Sequence, residues 1–421
     1  MKSFKLVKYQ ILIVSVLAVS SAYSAEWKIE PAISLNTQYN DNVRLRSESN
    51  NPQSSTAYTL APNIEFAAEE QGLWDMSLNT RGKLTRYQDI EDADSDNVFL
   101  AYDASRRTER TVLSLNASYT RNTNFDTDFD TQNTISGLLD DKTEQTTVSF
   151  SPSIRWNPSN ISVIVFSLSA TNVSYDEMIS SNLRDYSNIA ANLKAYWQVL
   201  ENHTLGYTIS YTEQDTPEAG FTSDTTVLNM DYTYNISAES NFKLSLGGRR
   251  LNSVTENSLF LGCETPSIFD GPTSCGFGLP ILGDLENQDD GVVVNLSYSS
   301  QSDYYSNRFN ASRNVVSSST GGVQEAISVN YSYNYRHTEK LTNNLSLNAS
   351  ENTTLSGISS SSDRTQYRID ASVAYKLSRD WRLSFKYMHI EQNITNTDVD
   401  SKSNAVFINL SLNWPKLATT Y

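Results

Sequence analysis

Apolar and polar side chains alternate with a period of two residues along almost the whole chain. The last such segment, 402–414, places Val406, Ile408, Leu410 and Trp414 on one face, and mostly Asn and Ser on the other. Successive side chains of a β-strand point to opposite faces, so this period is typical of strands. Hydrophobic residues make up only 38% of the sequence, which is low for a globular protein of this length, but the 24 Tyr, 15 Phe and 6 Trp argue against disorder.

The alternating pattern occurs in eighteen segments. Most of them are long enough to cross a bilayer as tilted strands, which takes about 9–11 residues. The predicted strands are 27–39, 56–67, 72–86, 96–107, 110–122, 144–157, 161–174, 184–198, 202–214, 223–236, 240–252, 289–301, 304–316, 322–336, 341–352, 364–377, 380–392 and 402–414.

The connections between these segments alternate in length. Tight connections such as EEQG, NPSN and SRD follow the even-numbered segments, and mostly longer ones follow the odd-numbered segments. Short turns at one end and long loops at the other are the arrangement of outer-membrane barrels. An even number of strands also brings both ends of the barrel to the periplasmic, short-turn side.

The apolar face is predicted to contact lipid. A soluble sandwich buries its apolar face, whereas here the polar face is rich in Asn, Ser and Thr and suits a wet lumen. Tyr and Trp lie near the strand ends, as interfacial girdles do. The sequence therefore predicts an all-β, transmembrane, antiparallel up-and-down barrel of about eighteen strands over residues 26–414, with short periplasmic turns and long extracellular loops. A large secreted solenoid or sandwich is the alternative.

Residues 1–25 are predicted to be a secretory signal peptide. Lys2, Lys5 and Lys8 precede a short apolar run at 11–19, and small residues follow at 20–25. A retained membrane anchor is the alternative. The chain is then expected in the cell outer membrane, and residues 415–421 form a short C-terminal tail after the last strand.

Cys263 and Cys275 lie in the longest predicted loop, 253–288. In an exported protein such a pair is expected to form a disulfide, and the lack of a nearby His argues against zinc. This loop either folds inward to narrow the pore or caps the surface. We expect no metal and no cofactor. The net charge of −16 and the lack of a basic stripe argue against binding to nucleic acid.

Eighteen strands leave room for an aqueous channel whose selectivity comes from side chains facing the lumen. The alternation places few acids there, namely Asp75, Asp103, Asp231 and Asp370. A basic wall suits an anionic or carboxylated polysaccharide, but lumen charges that merely balance one another are the alternative. The basic residues predicted to line the pore are Arg81, Lys83, Arg107, Arg155, Lys194, Lys243, Arg249, Arg308, Arg336, Arg368, Lys376, Arg382 and Lys386.

Acidic residues concentrate in loops at 89–96, 126–130 and 284–290. These loops are either solvated surface, bridges through divalent cations to lipopolysaccharide, or Ca²⁺ sites. Catalysis needs a Ser/His or Asp/His constellation at the outer rim. His203 and His337 fall at predicted periplasmic turns, and His389 lies near Glu391. We therefore predict that the chain is not an enzyme.

Four stretches carry a resemblance to a known family: NTQYNDNVRL at 36–45, STAYTLAPNIEF at 55–66, LNTRGKLTRY at 78–87 and LNASYTRN at 115–122. The region 27–122 resembles outer-membrane β-barrel porins that accompany exopolysaccharide synthesis and PEP-CTERM (exosortase) systems. The resemblance implies a passive pore for a secreted exopolysaccharide. It also implies a periplasmic polysaccharide-export protein as partner.

The expected function is therefore a passive outer-membrane channel with polysaccharide as cargo. The expected partners are outer-membrane lipid and lipopolysaccharide, the barrel-assembly machinery and the periplasmic export protein. Two alternatives stay open: a non-conducting barrel that serves as a surface scaffold, and a general diffusion porin for small solutes.

Overall fold

A computed structural model describes residues 26–70, 72–123, 143–176, 183–260, 281–318, 322–356, 363–395 and 399–414. Within them, each strand pairs antiparallel with the next in sequence, and the eighteenth pairs with the first. This confirms the predicted closed, antiparallel, eighteen-stranded barrel. The strands are β1 (Glu26–Asn40), β2 (Ser55–Glu70), β3 (Trp74–Tyr87), β4 (Ser95–Arg107), β5 (Thr111–Thr123), β6 (Glu144–Ser159), β7 (Ser162–Tyr175), β8 (Tyr186–Leu200), β9 (His203–Thr216), β10 (Phe221–Ser237), β11 (Ser240–Phe260), β12 (Ile281–Gln301), β13 (Tyr305–Ser317), β14 (Val323–Arg336), β15 (Leu341–Ser356), β16 (Arg364–Lys376), β17 (Trp381–Ile394) and β18 (Val399–Asn413).

The largest difference from the predicted strands is at β11 and β12. The sequence placed their ends at residues 252 and 289, whereas the strands run to Phe260 and from Ile281. The added residues are mostly polar and lack regular alternation. They pair through the backbone, and a hairpin that rises beyond the apolar zone of a barrel needs no lipid-facing side chains.

The two faces of the sheet differ in composition. Large apolar side chains are exposed on one face, which we call the outer face; Leu35, Ile64 and Leu193 are examples. Polar side chains such as Thr59 and Thr208 are buried on the other, inner face. The closed sheet therefore turns its apolar face outward, as the alternation predicts.

Aromatic residues lie on the outer face near both strand ends. Exposed Trp197 and Trp381 are close to the short turns, and exposed Tyr58 and Tyr367 are close to the long loops. Short 3-10 helices occur in the connections at Glu48–Asn50, Glu91–Ala93 and Pro217–Ala219. In the described ranges, no helix has the length and apolar character needed to cross a membrane.

Several predictions fall outside the described residues. These are the signal peptide at 1–25, the acidic loop at 126–130, the pairing of Cys263 with Cys275, and the tail at 415–421. They stay predictions.

Candidate pore lining

The inner face carries every basic residue that the alternation assigned to it. Outer-face neighbours fix each assignment: exposed Ile154 and Trp156 flank Arg155, and exposed Leu193 precedes Lys194. By the same parity the inner face holds Arg81, Lys83, Arg107, Lys243, Arg249, Arg308, Arg336, Arg368, Lys376, Arg382 and Lys386. Their role in conduction stays a prediction.

Three of these cations share one row across the wall, which we call the basic row. Arg107 on β4 is opposite Val112, Val112 is opposite Arg155 on β6, and the row continues through Val165 to Lys194 on β8. Neighbouring strands are about 4.8 Å apart, so successive cations are roughly 10 Å apart. Because strands of a barrel are tilted, such a row climbs around the wall. The basic row is therefore an ascending series of positive charges.

A second row is made of amides. It runs from Lys243 through Ser297 to Asn310, Asn330 and Asn348, and ends at Arg368. Asn348 Nδ2 donates a hydrogen bond to Asn330 Oδ1. Each amide has both donors and acceptors, so this row can exchange hydrogen bonds with hydroxylated solutes.

Part of the positive charge is neutralised in place. Asp370 accepts from Arg368 at 2.7 Å and from Lys386 at 2.9 Å. Arg107 contacts Asp75 at 3.3 Å. The Arg81 guanidinium lies 4.4 Å from the Phe99 ring centroid, a cation–π contact.

The inner face also carries acids that the sequence analysis missed. Glu30 and Glu65 are register partners, and exposed Ile29 and Ile64 beside them fix the two carboxylates on the inner face. The same alternation could have found both. Asp289 is a third inner-face acid, and it lies where the predicted acidic loop 284–290 overlaps the start of the predicted strand 289–301. The β1–β2 wall thus carries more negative charge than the wall of the basic row.

The connection at 41–54 folds into the barrel, and we call it the first inner segment. Val43 and Leu45 pack in an apolar cluster with Met388 and Ile390, which are inner-face residues of β17. Asn42 Nδ2 donates to the carbonyl oxygen of Lys402 at 2.8 Å. The segment therefore covers the inner wall of β17 and β18.

A second element crosses the lumen, and we call it the inner flap. It comprises the long-loop ends of β13, β14 and β15, at 314–317, 323–326 and 353–356. Ser317 Oγ donates to Asn188 Oδ1 on β8 at 3.1 Å, and Gln214 Nε2 on β9 donates to the Gly322 carbonyl at 3.2 Å. On β11, Ser253 Oγ is 2.6 Å from Ser356 Oγ. These contacts place the flap against the inner face of β8–β11.

The 253–288 loop was expected either to fold inward and narrow the pore or to cap the surface, and no expectation was made for the flap. Residues 261–280 lie outside the described ranges, so that alternative stays open. Nothing in the alternation marks the flap. Val315 and Val323 fall at outer-face positions, where the pattern predicts lipid contact, yet Val323 packs on Phe221 and Leu251 inside the barrel.

The three histidines lie within the described ranges, and each of them contacts a Tyr or Asn side chain. The described residues contain no group of three or more His, Cys, Asp or Glu side chains suited to a metal. His203 Nδ1 is 2.8 Å from the Tyr232 hydroxyl, His337 Nε2 is 2.8 Å from Asn343 Nδ2, and His389 Nδ1 is 2.8 Å from Asn404 Oδ1. In the acidic loop at 89–96, Asp96 forms an ion pair with Arg86 at 2.7 Å.

Comparison with known proteins gives only distant structural matches. No family model matches the chain, and no curated protein matches it. Pseudomonas aeruginosa OccK2 (OpdF), solved in complex with glucuronate, is 11% identical with a TM-score of 0.46, covering 92% of this chain and 98% of that one. P. aeruginosa OccK1 (OpdK) is 12% identical with a TM-score of 0.44, covering 92% and 99%. The ferric-catecholate import receptor Fiu from E. coli is 9% identical with a TM-score of 0.45, covering 91% and 81%. Such values do not establish a shared family or solute.

Proposed function

We propose that the chain is an outer-membrane channel for an anionic, hydroxylated solute, most specifically a secreted exopolysaccharide. The observation that carries the proposal is the basic row inside a closed eighteen-stranded barrel. Cations at intervals along a polar wall lower the energy of a negative solute in the lumen. The cations of the basic row give the solute several weak binding sites in succession instead of one strong site, so the solute can pass through.

The membrane location follows from the outer face. Exposed Leu35, Leu60 and Ile64 would meet water in a soluble protein, whereas lipid solvates them without cost. The backbone of the first strand pairs with that of the last strand, so neither of these two strands has an open edge toward lipid along the paired residues. The aromatic residues at both strand ends suit the two membrane interfaces.

The cargo is proposed from chemistry and from the resemblance. The amide row at Asn310, Asn330 and Asn348 can exchange hydrogen bonds with sugar hydroxyls. The basic row can form charge-assisted hydrogen bonds with carboxylates or other acidic substituents. A periplasmic polysaccharide-export protein would deliver the polymer at the short-turn end. Lipopolysaccharide and the barrel-assembly machinery are the other proposed partners.

A general diffusion porin for small solutes is the second candidate. The first inner segment and the inner flap both occupy lumen space, and a narrowed lumen favours small solutes over a polymer. A non-conducting scaffold is the third possibility and is an outcome of the test below.

The test is single-channel conductance of the refolded barrel in a planar bilayer, with acidic and neutral oligosaccharides of equal length. We expect block by the acidic chains at lower concentration. The double variant R155E/K194E should weaken that block about tenfold, because two charges of the basic row change sign. K340E, in an exposed short turn, is the matched control and should leave the block unchanged.

Each outcome separates the candidates. Equal block by neutral and acidic chains would favour a sugar channel without charge selection. Conductance indifferent to both would leave the diffusion porin. No conductance at all would favour the scaffold.

A further inference from the structure

The wall of the barrel is open at one seam. β12 and β13 pair from Gln301 opposite Ser306 only as far as Val294 opposite Arg313. Beyond that point β12 continues to pair with β11, and β13 continues to pair with β14 as far as Ser317. The seam opens because the inner flap leaves the wall and crosses the lumen.

The two edges of the open seam are complementary. Extending the existing register by two residues sets Val292 opposite Val315, with Val293 opposite Asn314. Strand edges that lack a partner are a liability in β-proteins, and pairing them satisfies backbone groups. The fold therefore contains a second place for the flap, in the wall, that needs no new sequence register.

A buried ionic cluster holds the flap in its inward place. Arg249 on β11 has only 3% of its side chain exposed. Its Nη1 donates to Asp289 on β12 at 2.5 Å, and its Nη2 donates to Glu325 on the flap at 3.2 Å. Glu325 also accepts from Arg313 at the base of the flap, at 3.0 Å. Arg249 thus joins the wall to the flap.

Gly291 makes room for this contact. It is the register partner of Arg249 on β12, and the Arg249 side chain lies directly over it. A Cβ at position 291 would be 2.7 Å from three atoms of the Arg249 guanidinium group, Nε, Cζ and Nη2. Any residue other than glycine would displace the side chain that reaches Glu325.

The rest of the contact between flap and wall is incomplete. A cavity of about 240 Å³ lies between them, lined by inner-face residues of β9 and β10 and by Val315 and Val316 of the flap. Two buried amide oxygens in its lining, Gln214 Oε1 and Asn229 Oδ1, accept no hydrogen bond from the described residues. The inward position is therefore held by the ionic cluster and by the apolar contact of Val323 with Phe221 and Leu251, and the packing beside these contacts is incomplete.

We propose that the inner flap is a constriction that sets the size limit of the channel and can take two positions, one inward and one outward. The contact between Arg249 and Glu325 holds it in the inward position. In the inward position the flap crosses the lumen. In the outward position it returns to the wall, 314–317 pair with 290–293, and the lumen widens. The proposal rests on the proposed channel function, but the cross-links below test the two positions independently of conduction.

The experiment uses engineered disulfides in the full chain with the background C263S/C275S. S253C/S356C joins residues whose Oγ atoms are 2.6 Å apart and locks the flap inward. V292C/V315C joins positions that become opposite only in the outward position. S149C/T171C, whose hydroxyls are 3.1 Å apart on β6 and β7, is the matched control within the wall. Cross-link yield is read from gel mobility and single-channel conductance before and after a reductant.

We expect all three pairs to form. Reduction should raise the conductance of S253C/S356C about twofold, since conductance follows pore width, and should leave the control unchanged. Oxidised V292C/V315C should hold the high conductance. E325Q and G291A, added singly to V292C/V315C, should raise its cross-link yield, because both weaken the contact between Arg249 and Glu325 that holds the flap inward.

Three results would overturn the proposal. One is a failure of V292C/V315C to cross-link in any background while the control pair forms. Another is equal conductance of S253C/S356C before and after reduction. The third is a lower yield of V292C/V315C with G291A. Cross-linking at both flap pairs in a barrel that never conducts would overturn the channel function and the size limit, while the two positions would stand.

Discussion

The first inner segment and the inner flap both narrow the barrel, but different forces hold them. The first inner segment is anchored by apolar side chains, with Val43 fully buried and Met388 and Ile390 at 2% and 1% exposure. The inner flap is anchored by the ion pairs of Arg249 with Asp289 and Glu325 together with a smaller apolar contact of Val323, and a cavity is left beside it. The first inner segment is therefore held mainly by apolar packing, whereas the inner flap depends on buried ion pairs as well as on apolar packing.

The difference bears on which element can move. An apolar contact has no competing partner in a wet lumen, and the first inner segment belongs to the larger of the two apolar clusters that hold these elements. A buried ion pair costs desolvation and gains only a modest net energy, and its groups hydrate readily when separated. The open seam next to the flap also offers alternative backbone pairing, which the first inner segment lacks within the described residues.

R249A is expected to have the largest effect on stability. It removes a buried guanidinium group and leaves Glu325 paired with Arg313 alone, and breaking buried pairs of this kind costs about 3–5 kcal/mol of unfolding free energy. The measurement is guanidinium-induced unfolding in lipid vesicles followed by tryptophan fluorescence.

R250A is the control for R249A, because Arg250 is the next residue but lies on the outer face with exposed Asp290, 2.9 Å away. It should leave the unfolding midpoint unchanged. Equal effects of the two variants would mean that the buried cluster does not hold the flap.

I390A tests the apolar anchor. Removing most of a side chain that is 1% exposed leaves a cavity under the first inner segment, and we expect a loss of about 2–4 kcal/mol. The same unfolding titration measures it. If only the flap moves, I390A should not raise the yield of the V292C/V315C cross-link, whereas a raised yield would show that the two inward elements are coupled.

N42A removes polar bonds from the first inner segment while keeping its apolar contacts. Asn42 Nδ2 donates to the carbonyls of Arg46 and Lys402, and its Oδ1 accepts from the Arg46 amide at 2.9 Å. Loss of these bonds leaves buried backbone groups unpaired and should cost about 1–2 kcal/mol. A cost near that of I390A would mean that polar bonds, rather than the apolar cluster, anchor the segment.

T171V gives the baseline for a hydrogen bond in the wall that touches neither inward element. The Thr171 hydroxyl is 3.1 Å from that of Ser149 on the neighbouring strand. We expect a change of about 0.5–1 kcal/mol in unfolding free energy and no change in conductance. A change in conductance would show that side chains of β6 and β7 also set the pore.

Alternation was sufficient to predict the strands, the two faces and the inner-face position of residues such as Arg155 and Lys194. These depend only on a local period of two. It failed for Val315 and Glu325, because bending of β13 and β14 turns an outer-face position inward. That bend is set by contacts such as Arg249 with Glu325, which are 76 residues apart in the chain, and no local pattern records them.

The extra length of β11 and β12 was missed for a related reason. Beyond the membrane a hairpin is held by its own backbone bonds, so polar residues such as Asn287 and Gln288 fit a strand there as well as a loop. Asp289, the first residue of the predicted strand 289–301, was assigned to the acidic loop at 284–290 and so was left out of the candidate lining. The nature of the solute depends on the summed electrostatic field and on the width of the lumen rather than on a motif. The alternation predicts only the sign of the charge on the lumen wall.

The join between β1 and β18 has a consequence for how the barrel is made. Ser403 Oγ donates to Asn40 Oδ1 at 2.7 Å, and these residues are 363 positions apart. Contacts of such long sequence separation form late, because the entropy of closing the loop precedes any gain. Once β1 has paired with β2, its other edge stays unpaired until β18 has formed. We therefore expect the pairing of β1 with β18 to complete the barrel, and a chain that lacks β18 to keep an unpaired strand edge, which favours aggregation.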